Sequence, residues 1–166
     1  MPSERRNPEI ACCVAAIVVC LLQFAAAAAF GEQQLPLNAQ LTVGAWDFFN
    51  KGEFERAIAI AEKCLNEFIL SAEREQAALE KAKAPLPPTG SVPDSMKKAI
   101  LARGVLNDVG TCLFIKGRSA ENLGRREVAR QAYEAAKKFT YARCWDPQGW
   151  FWSPAEAAGD RLAMMK

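Results

Sequence analysis

Apolar residues recur three and four positions apart at Phe54, Ile58, Ala61, Leu65, Phe68 and Ala72, a spacing that fits one face of an α-helix and excludes a strand. Leu79 and Ala82 carry the same stripe on to Ala84. Upstream, Leu41 to Asn50 reads as a shorter helix, and Gly52 supplies the left-handed turn that reverses the chain between the two. Downstream, four prolines between Pro85 and Pro93 remove backbone donors and end the helical pattern in a stiff loop.

A third helix is expected to open at Asp94 or Ser95, either of which suits an N-cap. Leu101, Val105, Val109, Cys112, Leu113 and Ala120 form its inner side, and it runs to the break at Leu123-Gly124. A fourth, from about Arg125 to Tyr141, turns Val128, Ala132, Ala136 and Phe139 inward. Asp146-Pro147-Gln148-Gly149 then has Pro second and Gly fourth, as a type I turn does. Ser153-Pro154-Ala155-Glu156 is a capping box with Pro at the first helical position, so Pro154 to about Met164 is expected to be a short final helix. The fold class expected is all-α.

The N-terminus has the layout of a secretion signal: Arg5 and Arg6, an uncharged run from Ile10 to Leu22, then alanines from Ala25 to Ala29. Residues 1–29 are therefore expected to be a signal peptide cleaved after Ala29, followed by a linker over 30–39 and one helical domain over 40–166. The competing reading is an uncleaved anchor, since the 21 residues from Ile10 to Phe30 are just long enough to span a bilayer. Both place the rest of the chain outside the cytoplasm, periplasmic or secreted, with membrane contact only if the signal stays uncleaved. Losing Glu4, Arg5, Arg6 and Glu9 takes two charges of each sign, so the net charge stays at +2. That balance argues against a nucleic-acid partner. The basic run Arg125, Arg126, Arg130, Lys137, Lys138 and Arg143 reads first as a solvated face, the alternative being attraction to an anionic envelope surface.

Three cysteines lie beyond the signal, Cys64, Cys112 and Cys144, allowing one internal disulfide at most; buried thiols are the simpler reading. With no His and no Cys-x-x-Cys unit, neither a zinc site nor any other metal site is expected. Asp146, Glu156 and Cys144 are the residues that acid–base or nucleophilic chemistry would have to use. No His is present to activate the thiol, and no Gly-rich phosphate loop occurs. The chain is accordingly expected not to be an enzyme and to need no cofactor.

The helix pairs resemble one another. Leu41, Gly44, Ala45 and Phe48 precede Gly52, Phe54, Ala57, Ile58 and Ala61; Leu113, Gly117 and Ala120 precede Gly124, Ala129 and Tyr133. Leu41 to Ala57 and Leu113 to Ala129 are both sixteen apart. This pattern is similar to the tetratricopeptide repeat, and the stretch Ala45-Trp-Asp-Phe-Phe-Asn-Lys-Gly-Glu-Phe-Glu-Arg-Ala-Ile58 matches best. It departs from that family in carrying Leu at the head of each repeat and in lacking a proline at Ile69. Its two copies also lie 72 residues apart.

The resemblance implies an exported bacterial protein built as a right-handed α-solenoid of antiparallel helix pairs. Its second and third helices would lengthen into a protruding central hairpin, and its last helix would cap the stack. Two pairs rarely bury their own faces, so the cap, the hairpin or a second subunit must cover them. It further implies a groove lined by the first helix of each pair. By position that groove presents Thr42, Trp46, Phe49 and Asn50 from one repeat and Thr111, Phe114, Arg118 and Asn122 from the other.

A separate candidate is the segment Tyr141 to Trp152, which holds Trp145, Trp150 and Trp152. Those rings either close the open end of the stack or form a platform for sugar rings or a partner's apolar side chains. The function expected is a non-catalytic protein-binding or scaffold module that assembles with a partner protein of the cell envelope. The alternative is an accessory protein that binds cell-wall glycan through the tryptophan segment.

Overall fold

The computed structural model describes residues 34–165, so the expected signal or anchor over 1–29 lies outside the described residues. Six helices and one small hairpin follow in the order α1 (Leu37–Asn50), α2 (Phe54–Lys81), α3 (Asp94–Leu101), α4 (Gly104–Asn122), α5 (Arg126–Ala136), β1 (Cys144–Asp146), β2 (Trp150–Trp152) and α6 (Pro154–Met164). The described chain is thus mostly helical. None of its helices is long and apolar enough to cross a membrane.

Helix α1 begins at Leu37, inside the expected linker, because Pro36 fixes the backbone ahead of the first turn and its carbonyl accepts from Gln40 N–H at 3.0 Å. The α1–α2 and α4–α5 pairs are joined by the same device. Gly52 and Gly124 take φ of +75° and +71°. Their N–H groups donate to Phe49 and Glu121 carbonyls, and the following Glu53 and Arg125 N–H groups donate to Phe48 and Ala120. That left-handed closure is open to glycine at little steric cost.

Alanine decides how near the helices come. Ala45, Ala57, Ala61, Ala120 and Ala129 are fully buried, and Tyr133, Leu106, Val109 and Ile115 fill the space their short side chains leave. The two pairs lie side by side in constant register. Asn38 Nδ2 donates to Asp108, Thr42 Oγ1 lies 3.4 Å from Cys112 Sγ, and Glu55 pairs with Arg125, each contact joining residues 70 apart.

Three expectations change. The single third helix is two, because Asn107 Nδ2 donates to the Ile100 carbonyl at 2.8 Å and ends α3, while Gly104 starts α4 anew. Helix α5 stops at Ala136 and not near Tyr141; Phe139 is buried from a turn, and Val128, expected inward, is 37% exposed. The central hairpin does not protrude freely. Its loop is tied back by Gly90, which exchanges backbone hydrogen bonds with Phe151 at 2.7 and 2.9 Å, and by the Arg143 side chain. Arg143 is buried, and its guanidinium donates to the Pro87, Thr140 and Ala142 carbonyls.

The tryptophan segment forms strands the sequence did not announce. β1 and β2 pair antiparallel with Cys144 opposite Trp152, Trp145 opposite Phe151 and Asp146 opposite Trp150. The expected turn closes them, with Gly149 N–H donating to the Asp146 carbonyl at 2.9 Å. Ser153 Oγ caps α6 by accepting from Glu156 N–H, as the capping box requires.

Candidate functional site

Val43, Trp46 and Asn50 recur at three and four residues along α1 and so share one face, with Asp47 beside them. Phe114 of α4 stands behind that face. The β1–β2 hairpin closes the other side with Cys144, Trp145, Asp146, Pro147, Trp150 and Trp152, and Ala157 of α6 supplies the end wall. Together they line a groove of about 640 Å³. Trp46, Asn50 and Phe114 of the expected repeat groove and the three tryptophans of the segment, separate candidates in the sequence, therefore line one hollow.

The rings are fixed mainly edge to face. Trp152 is wedged between Trp46, at a centroid distance of 6.4 Å and 71°, and Phe114, at 5.1 Å and 64°. Trp145 packs against Phe151 at 4.8 Å and carries the Lys97 ammonium over its ring at 3.6 Å. Trp150 is the most open, at 38% exposure. Aromatic pairs in this geometry hold a wall rigid without much loss of side-chain freedom.

Five of the expected residues do not line the groove, and two of them, Thr42 and Thr111, are buried with their hydroxyls donating to the Asn38 and Asn107 carbonyls. Phe49 packs against Trp46 and Phe54, each at 5.5 Å. Arg118 stacks its guanidinium on Phe49 and Phe114, at 5.5 and 5.9 Å, and so braces the wall from behind. Asn122 Nδ2 bonds the Arg118 carbonyl within α4. Sequence reasoning missed Val43, Asp47 and Ala157, and singled out Asp146 only for acid–base chemistry. The signal for Asp47 was present, since it neighbours Trp46 and lies three residues before Asn50.

A second hollow of about 380 Å³ shares Trp150, Trp152 and Ala157 with the first and adds Glu156 and Asp160. The two hollows thus carry four carboxylates, Asp47, Asp146, Glu156 and Asp160, and no Lys or Arg lines either. The described ion pairs lie elsewhere: Glu53–Arg56, Glu55–Arg125, Glu62–Lys116, Glu121–Arg161, Glu127–Arg130 and Glu134–Lys137. Asp146 Oδ1 accepts from Gln148 N–H at 2.8 Å, inside its own turn.

Burial pushes the Cys144 thiol up to about 11, against opposing hydrogen bonds from Thr111 and Trp46, so it faces the groove as a neutral S–H. A neutral thiol is a poor nucleophile. Cys64 and Cys112 are buried, and the three thiols are free. Cys64 beside it and burial raise the Cys112 thiol far above its ordinary range. Among the described residues no cluster of His, Cys, Asp and Glu is arranged to hold a metal ion. No protein-family model matches the chain, and no curated protein or solved structure matches it either.

Proposed function

We propose that this chain is a non-catalytic binding module, working outside the cytoplasm in a bacterial envelope, that takes a segment of a partner protein into the tryptophan-lined groove. The observation that carries this reading is the convergence of Trp46, Phe114, Trp145, Trp150 and Trp152 from four elements on one cavity of about 640 Å³. Tryptophan is the side chain most enriched among residues that dominate binding energy, and concave apolar sites with few polar groups are the usual form of a recognition pocket. A Cys144 thiol raised by burial and a sequence without His favour binding over nucleophilic chemistry at the groove.

Architecture of the tetratricopeptide kind supports the same reading. The two glycine closures 72 residues apart, the buried alanines at equivalent positions and the regular contacts at a separation of 70 are what two stacked helix pairs of that kind would give. Helix α6, laid against α4 and α5, then acts as the terminal cap. A flat sugar platform is less well served, because Trp145 and Trp152 have their faces and edges occupied by Lys97, Phe151, Trp46 and Phe114.

The test is a photo-cross-linking side chain in the full chain, placed at Val43 in the groove or at Leu70 on α2, both exposed at 49% and 69%. An adduct with another envelope protein from position 43, absent from position 70, is the expected result. Equal labelling from both positions, or adducts only between copies of this chain, would overturn it.

A further inference from the structure

We propose that the occupant of the groove is a basic segment of the partner, in which a lysine or arginine side chain enters between the tryptophans and apolar residues flank it. This rests on the groove being a protein-binding site and adds the chemistry of what it takes.

Charge is the first argument. The chain as a whole is slightly basic, at +2, yet four carboxylates gather around Trp150 and Trp152. None of them belongs to an ion pair among the described residues, whereas Glu53, Glu55, Glu62, Glu121, Glu127 and Glu134 all do. Basic residues in and flanking α5 are engaged elsewhere: Arg125 pairs with Glu55, Arg130 with Glu127 and Lys137 with Glu134, while Arg126 donates to the Met165 carbonyl. The four carboxylates outnumber the cations nearest them, Lys97 on the Trp145 ring and the buried Arg143 near Glu156. They leave a recess of net negative charge in a positive molecule, complementary to a cation.

The aromatic walls are the second argument. An indole face attracts a cation through its quadrupole, more strongly where water is excluded. The site already shows this chemistry, since the Lys97 ammonium rests 3.6 Å from the Trp145 centroid. Trp150, at 38% exposure, retains open surface between the two hollows, with Asp146 opposite it in the hairpin and Glu156 and Asp160 on the helix beyond. A lysine or arginine stem would lie along the open face of Trp150 while its charged head reached those carboxylates.

The probe is an acetylated, amidated heptapeptide alternating leucine and lysine, titrated into the full chain and followed by tryptophan fluorescence. The control is the same peptide with glutamate for lysine. Saturable binding of the lysine peptide is expected, at least about 10-fold tighter than the glutamate peptide and weakened by salt. The double variant Asp47→Asn with Asp146→Asn should lose about 10-fold in affinity with unchanged circular dichroism. Indifference to lysine against glutamate, binding of neither peptide, or full affinity in the double variant would overturn the proposal. So would saturable binding of neutral wall glycan that the double variant keeps. Its failure is separable from failure of the groove: an adduct from position 43 to a partner segment without lysine or arginine sinks only the cation, whereas no adduct sinks the groove itself.

Discussion

Gly117 of α4 lies against the Tyr133 ring of α5, and there the sequence pattern has a measurable consequence. A Cβ at this position would lie 2.6 Å from Tyr133 Cδ1, on a ring that is itself fully buried and has nowhere to move. Gly117→Ala is expected to destabilise the chain by about 1–3 kcal/mol, as overpacking does in a filled interior. Gly44, on α1, is one residue short of the position 72 before Gly117, which Ala45 holds, and it faces Ile60 Cγ2 at 3.7 Å, an ordinary contact. Gly44→Ala should therefore be neutral or stabilising by up to ~1 kcal/mol through helix propensity alone. Urea midpoints at unchanged slope measure both, and equal stability of the two variants would contradict the close approach. The difference between these glycines was not readable from the sequence, because it depends on Tyr133 reaching across from the neighbouring helix.

Among the elements, α6 is tied to α4 through Glu121, which pairs with Arg161 and accepts from Tyr133 OH at 2.7 Å. Burial alone would raise the Glu121 carboxyl, but the hydrogen bonds and charges of Arg161 and Tyr133 outweigh it and hold the group below its ordinary value of 4.5. A depressed carboxylate stabilises fully above its unfolded pKa and loses that contribution as pH falls through its folded one. Unfolding midpoints measured from neutral pH downward should thus stay level to about pH 4.5 and then drop. Glu121→Gln should lower the plateau and flatten the drop; an identical acid profile would rule the linkage out.

The helices themselves were legible wherever a long stripe repeated, as from Phe54 to Ala72. What escaped was set by side chains acting at a distance. Asn107 splits the expected third helix by taking the Ile100 carbonyl. The three-residue strands are too short to show alternation and are paired in part by Gly90, a loop residue far away in sequence. The tryptophans were recognisable as candidates for recognition, but that Trp46 meets Trp152, and that Asp47, Asp146, Glu156 and Asp160 surround them, follows only once the hairpin folds back onto α1.

For the molecule as a whole, two helix pairs leave an apolar flank on α4 and α5 that no third pair covers. Helix α6 covers it, burying Ala155, Ala158 and Met165, while Arg126 fastens its end through the Met165 carbonyl at 2.7 Å. It also supplies Ala157 to the groove and Glu156 and Asp160 to the adjoining hollow, so cap and site are one element. A chain stopped after Ser153 would lose that apolar cover, worth on the order of 5 kcal/mol by the area it hides. The ion pair at Glu121 would go with it. Since a domain of this size is stable by only about 5–15 kcal/mol, such a loss consumes much or all of the margin. The truncated chain is expected to keep much of its helical signal while its thermal transition broadens and moves to lower temperature, and to lose the near-ultraviolet dichroism of the tryptophan cluster. A sharp transition at the full chain's midpoint would mean that the two helix pairs hold themselves together, and that α6 serves the groove alone.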